Sequence, residues 1–244
     1  MTLSKGRRFR AAAFCFSGMA GMVRATTIAL MSDRFPKRPY DAVVFDLLTA
    51  LLDSWTLWNE VAGSAENGLR WRKRYLEITY GCGAYRPYEA LVREAAEAAG
   101  LGAGLADRLE SRWTELEPWP EAPSVLARLG SEVPMAVATN CSTRLGEAAA
   151  KRAGGVFQSV ITAESVGFYK PRPEPYLAAL KALGTEPART LFVAGSASDV
   201  PGAQAAGMPV YWHNRIGLTP RDDAVAQFLE RTLDRLPGLV LGAA

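Results

Sequence analysis

Five short apolar runs constrain this chain more than any other feature: Ala42–Asp46, Met135–Asn140, Gln158–Thr162, Thr190–Gly195 and Met208–His213. Each is bounded by Gly, Pro or polar residues, as parallel strands covered on both faces are. Helical segments lie between them. Arg144–Arg152 runs out at Gly154, Glu174–Leu183 at Gly184 and Ala203–Ala206 at Gly207, each glycine placed to end a helix. Alternation of this kind predicts an α/β fold with a doubly wound, Rossmann-like parallel sheet. One interval breaks the rhythm. From Ser54 to about Glu121 there is only helical periodicity, over Trp55–Ala65, Gly68–Tyr80, Tyr88–Ala99 and Leu105–Glu115, with turns at Gly81–Gly83 and Gly100–Gly104. We therefore expect a core built from residues 39–53 and 122–244, and a helical cap, residues 54–121, inserted after the first strand. There it would rise over the strands' C-terminal ends as a lid.

Charge is distributed unevenly. The chain carries 28 Lys and Arg against 25 Asp and Glu, but eight of the basic residues and only Asp33 among the acids fall in residues 1–38. The remaining 20 basic and 24 acidic residues make an acidic body, so no nucleic-acid surface is expected. Residues 1–38 read as a leader: a start-site extension, with translation beginning at Met22 or Met31, or a disordered tail, in preference to a secretory signal. The apolar stretch Ala11–Val23 is interrupted at Arg24, is followed by no clear cleavage site and is too short to span a bilayer, so no membrane partner is expected. Cys15, Cys82 and Cys141 are odd in number and scattered, which suits a reduced, cytoplasmic protein. Apolar residues at 49% are enough for a packed soluble core. A homodimer is compatible with such a chain.

Four polar positions fall at strand ends: Asp46, Thr139-Asn140, Lys170, and Ser196 to Asp199. In a parallel sheet these ends share one crevice. The set suits an aspartate nucleophile. Lys170 would keep Asp46 ionised and in place, Thr139 and Asn140 can donate to that carboxylate or to substrate, and Asp199 can orient or deprotonate water. Phosphate chemistry at such a site normally has a second acid two residues after the nucleophile, to protonate the leaving group. Here Leu48 stands there, so the leaving group needs no proton. With Leu48 and Ser196 uncharged, a hard divalent cation would keep only Asp46 and Asp199, and neither metal nor cofactor is expected. His213 and Cys141 read as structural, since no nucleophile elbow and no cationic partner accompany them.

Over about residues 40–220 the chain resembles the haloacid dehalogenase superfamily, and within it the L-2-haloacid dehalogenases. The resemblance rests on Phe45-Asp46 with Leu51 and Asp53, on Ala136 to Asn140, on Lys170 followed six residues later by Tyr176, and on Gly195-Ser196-Ala197-Ser198-Asp199 with Gly202-Ala203 and Ala206-Gly207. Trp71-Arg72-Lys73 with Leu76-Glu77 and Thr79 resembles the family's lid helix. The resemblance implies a small anionic substrate, a short 2-haloalkanoic acid opened through an aspartyl ester. It implies that Arg72 binds the departing halide or the substrate's anionic end, that Tyr176 lies near the substrate carboxylate or partners the lysine, and that Leu47, Leu48 and Leu76 wall the reacting carbon.

The chain departs from that pattern at Thr49-Ala50, where the family has glycine then threonine; Thr49 could replace the family's hydroxyl only after a local backbone shift. Ser196 replaces an asparagine, and Ala194 stands where serine is common. Two other readings remain open at this point: a Mg-dependent phosphatase or phosphonatase of the same superfamily, and a non-catalytic relative that binds an anion or a partner.

Overall fold

Alternate residues of the first strand enter two separate cores, Val43 and Phe45 on one face and Ala42 and Val44 on the other, which is what a strand covered on both sides requires. The computed structural model describes residues 38–242; the leader and Cys15 lie outside them, Arg38 excepted. Six parallel strands form one sheet in the order β3-β2-β1-β4-β5-β6: β1 Ala42–Phe45, β2 Met135–Thr139, β3 Ser159–Thr162, β4 Thr190–Ala194, β5 Val210–His213 and β6 Phe228–Glu230. The chain runs outward from β1 through β2 to β3, then returns to place β4 on the other side of β1. The strand order therefore reverses beside β1, the position at which open α/β sheets form their crevice.

Between β1 and β2 lie α1 Ser54–Val61, α2 Ala65–Gly81, α3 Tyr88–Ala98, α4 Gly104–Ser111 and α5 Ala122–Gly130. Asp53 caps α1 by accepting from Thr56 N, and Ser64 caps α2 by accepting from Asn67 N. The sequence predicts α1 to continue to Ala65. It stops at Val61 because Gly63, at φ +80°, turns the chain and Ser64 starts the next helix. Aromatic contacts run through the helices, Trp58–Trp71 at 4.6 Å, Tyr75–Tyr88 at 5.6 Å and Tyr88–Trp113 at 6.1 Å between centroids. Each contributes about 0.5–1.5 kcal/mol beyond its burial. Tyr75 Oη donates to Asn140 O at 2.9 Å, which fastens α2 to the C-terminal end of β2.

After β2 come α6 Thr143–Ala153, α7 Ala163–Val166, α8 Pro173–Leu183, α9 Asp199–Ala205 and α10 Leu236–Leu241. Helices α8 and α9 cover one face of the sheet; α5, α6 and α10 join the core on the other. Four elements are not among those the sequence pattern predicts: β6, α5, α10 and the one-turn α7. Strand β6 has only three residues and none is fully buried, α5 starts with a proline in its first turn, and α10 is a single short stretch. No helix among the described residues is long and apolar enough to cross a membrane.

Candidate active site

Asp46 follows the last residue of β1, and its backbone N–H still donates to Val193 O of β4 at 2.9 Å. The side chain therefore leaves the sheet at its C-terminal edge, in the crevice. The next four residues fold back as a tight turn closed by Leu51 N to Leu47 O at 3.2 Å. That turn aims three donors at one oxygen: Thr49 N at 3.0 Å, Thr49 Oγ1 at 2.7 Å and Ala50 N at 3.1 Å, all to Asp46 Oδ2. Thr49, one place early by the family pattern, thus reaches the carboxylate. No periodicity in the sequence signals this contact, because it depends on how the turn closes.

The turn is held from behind. Trp119 Nε1 donates to Thr49 O at 3.1 Å, and His213 Nδ1 lies 2.9 Å from Ala50 O with Nε2 3.2 Å from Arg231 O. His213 is fully buried and outside the cleft, and burial lowers its basicity. Cys141 is buried too, its thiol pushed up to about 12.

Lys170 crosses from the loop after α7 to the other carboxylate oxygen, with Nζ 2.9 Å from Asp46 Oδ1, and 3.1 Å from Asp199 Oδ1 at the start of α9. Its backbone is fixed by Asn140, whose Oδ1 accepts from Lys170 N at 2.7 Å and whose Nδ2 donates to Lys170 O at 3.0 Å. The lysine side chain is only 2% exposed. Burial alone would raise the Asp46 carboxyl, but the ammonium and the Thr49 donors outweigh it and hold the group below its ordinary value. Asp199 ends differently. Burial and the Asp46 charge outweigh Lys170, and its carboxyl is pushed up to about 6.

Arg72, on α2, is buried over the cleft with its guanidinium 4.1 Å from the Trp55 ring centre and 4.7 Å from that of Trp58. Nη2 donates to Ser54 O at 2.9 Å and to Ser54 Oγ at 3.1 Å. Among the described residues no carboxylate lies within ion-pair distance of Arg72. Burial pulls it down to about 10, which leaves it charged at neutral pH. Its Nε, Trp58 Nε1 and Tyr88 Oη are buried without a partner among the described residues, and all three residues line the cleft. They are donors, so together they make an anion-seeking surface. Trp58 and Tyr88 were not singled out in the sequence, although Trp55 and Trp58 stand one helical turn apart, the spacing that lets both reach one cation.

The cleft has a volume of about 840 Å³. Leu48, Leu76, Ser196, Asn140 and Thr139 line it together with Asp46, Arg72, Lys170 and Asp199. Two residues lie elsewhere. Leu47 is fully buried in the core beneath the site, and Tyr176 is fully buried behind Asp199, with its hydroxyl 3.5 Å from Asp199 Oδ1 and its ring against Phe192. Neither lines the cleft: the turn after Asp46 sends Leu47 inward, and α8 packs on the sheet face. Thr139 and Asn140 do not donate to Asp46. Thr139 Oγ1 donates to Cys141 Sγ at 3.4 Å, and the Asn140 amide is committed to the Lys170 backbone. Among the described residues no three His, Cys, Asp or Glu side chains form a group that could hold a metal ion.

A profile of the haloacid dehalogenase-like hydrolases matches residues 40–207. The chain belongs to the haloacid dehalogenase-like hydrolase family. Among its relatives, (S)-2-haloacid dehalogenase H-109 of Pseudomonas putida is 31% identical over 197 residues, covering 74% of this chain and 88% of that one. (S)-2-haloacid dehalogenase 4A of Burkholderia cepacia is 32% identical over 196 residues, covering 73% and 85%. Among solved structures of this hydrolase family, L-2-haloacid dehalogenase from Xanthobacter autotrophicus with chloropropionic acid covalently bound superposes with a TM-score of 0.73 at 26% identity, covering 84% of this chain and all of that one.

Proposed function

We propose that this hydrolase is a 2-haloacid dehalogenase, acting on a short 2-haloalkanoic acid through an aspartyl ester. The observation that carries the reading is an ionised Asp46 carboxylate facing a cleft in which the buried Arg72 has no carboxylate partner among the described residues. Among the described residues Oδ2 accepts three donors and Oδ1 only Lys170, so Oδ1 keeps the greater nucleophilicity. It attacks the α-carbon opposite the halogen. The C–O bond forms as the C–halogen bond breaks, the halide leaves with the electron pair toward Arg72, Trp58 and Tyr88, and the centre inverts. Asp199 takes a proton from water, the hydroxide adds to Asp46 Cγ, and the substrate's new C–O oxygen departs from Cγ, reprotonated as the 2-hydroxyacid. Lys170 stabilises the negative charge on the carboxyl oxygens throughout.

Leu48 supports the reading, because a halide leaves without protonation. So do the curated relatives, which carry the 2-haloacid dehalogenase name. We assign residues 54–121 the part of a cap that seats Arg72 over the nucleophile. A cytoplasmic location belongs to the same reading and is supported by the free thiols of Cys82 and Cys141. The test is halide release from 2-chloropropionate. Asp46→Asn abolishes it, and single turnover in heavy-oxygen water labels Asp46 by mass spectrometry. Phosphate release from a phosphate ester with Mg²⁺, in the absence of halide release, overturns the proposal.

A further inference from the structure

Both peptide groups that donate to Asp46 Oδ2 are also gripped at their carbonyl ends. The Thr49 N–H belongs to the Leu48–Thr49 peptide, whose carbonyl accepts Ser54 Oγ and, at 3.3 Å, Ser54 N. The Ala50 N–H belongs to the Thr49–Ala50 peptide, whose carbonyl accepts Trp119 Nε1 at 3.1 Å. A hydrogen bond accepted at a carbonyl oxygen draws charge across the amide and makes its N–H a stronger donor. Two chains of hydrogen bonds thus converge on one oxygen, Ser54 to peptide to Asp46 and Trp119 to peptide to Asp46. Ser54 is fully buried and Trp119 nearly so, so water does not compete for either carbonyl. The first chain extends further, since Arg72 Nη2 donates to Ser54 Oγ at 3.1 Å.

We propose that Ser54 and Trp119 are positioning residues for the nucleophile, acting through these two peptides. The proposal rests on the dehalogenase reading for its rate effects. Ser54 also joins Arg72 to the same carboxylate, so a change in what Arg72 binds is transmitted to the attacking group.

Trp119→Phe removes the donor but keeps a ring against His213 and Arg215, which contact the indole at 6.0 and 4.7 Å. Ser54→Ala removes the hydroxyl but leaves the backbone contacts of that residue. In each variant kcat for 2-chloropropionate is expected to fall about three- to tenfold, with KM within twofold of the parent. The Asp46 carboxyl, followed by carbon-13 NMR with no substrate present, titrates at higher pH in both. Lys170, Asp199, Arg72, Cys141 and Tyr176 are electrostatically coupled to that carboxyl and none is substituted in either variant; Trp119→Phe also leaves the Arg72 hydrogen bonds intact, whereas Ser54→Ala removes the one to Ser54 Oγ. A kcat within twofold of the parent and an unmoved titration overturn the proposal, as does a lowered melting temperature with no change in kcat. A parent protein that releases no halide sinks the dehalogenase reading instead, and the carboxyl titration still decides whether Ser54 and Trp119 act on Asp46.

Discussion

Two carboxylates share one ammonium, yet they stand on opposite sides of their ordinary values. Asp46 has four donors within 3.1 Å and is held low; Asp199 has Lys170 and a distant Tyr176 hydroxyl, and rises to about 6. The split suits the two proposed roles, since the nucleophile must be ionised and the base must be able to take a proton. The sign of the pH dependence follows. In the free enzyme Asp199 is deprotonated above about pH 6. Esterification of Asp46 removes one of the charges that raise it, so ester hydrolysis falls off only below that pH, slowing about tenfold per pH unit once Asp199 is protonated. A profile of kcat between pH 4.5 and 8 measures this, and a flat acid side would remove Asp199 from the proton transfer. The strand-end aspartates and Lys170 are legible as candidates because the ends of parallel strands share one crevice; Arg72, on a helix, is legible only through the resemblance of Trp71-Arg72-Lys73 to the family's lid helix. Thr49 is not, because a hydroxyl's direction is set by the turn that carries it. Leu47 and Tyr176 were misplaced for the same reason: sequence spacing says which residues are near an edge, not which way they face.

The end of β4 and the turn after β1 touch backbone to backbone. A Cβ built on Gly195 would lie 2.3 Å from Ala50 N and from Thr49 C, too close for either strand end to keep its place. Gly195→Ala is therefore expected to displace the Thr49–Ala50 turn, costing about 1–3 kcal/mol of stability and lowering kcat at least tenfold. Gly81→Ala, at a helix end where nothing lies within 4 Å, serves as the matched control and leaves both unchanged. Melting temperature and halide release, measured on the pair, decide it. Five strands are readable because each holds a short apolar run bounded by Gly, Pro or polar residues. Strand β6 is not, because Phe228-Leu229-Glu230 at the sheet edge alternates too briefly to register, and its pairing comes from β5 rather than from its own residues. Helix limits failed where a glycine or a cap, not the apolar pattern, decides where a helix stops, as at Gly63 and Ser64.

For the molecule as a whole, the cleft is larger than its proposed substrate. A three-carbon 2-haloacid has the bulk of about five water molecules, roughly 150 Å³ at their liquid volume, against a cleft of about 840 Å³. Beyond Leu48 and Leu76 the walls continue through Leu69, Tyr80 and Leu218, and Asn214 fixes the Leu218 backbone at 2.7 and 2.8 Å. Longer alkyl groups should therefore be tolerated, with kcat/KM for 2-bromooctanoate within tenfold of that for 2-bromopropionate. A steep loss with each added methylene would mean that the helices close down on the short acid. His213 has a different use. It is the sole histidine in 244 residues, and one of its ring nitrogens rests on the Ala50 carbonyl behind the nucleophile's turn. Nature has thus left a single spectroscopic reporter in the protein, an imidazole whose magnetic resonance needs no assignment and looks out on the back of the reaction centre.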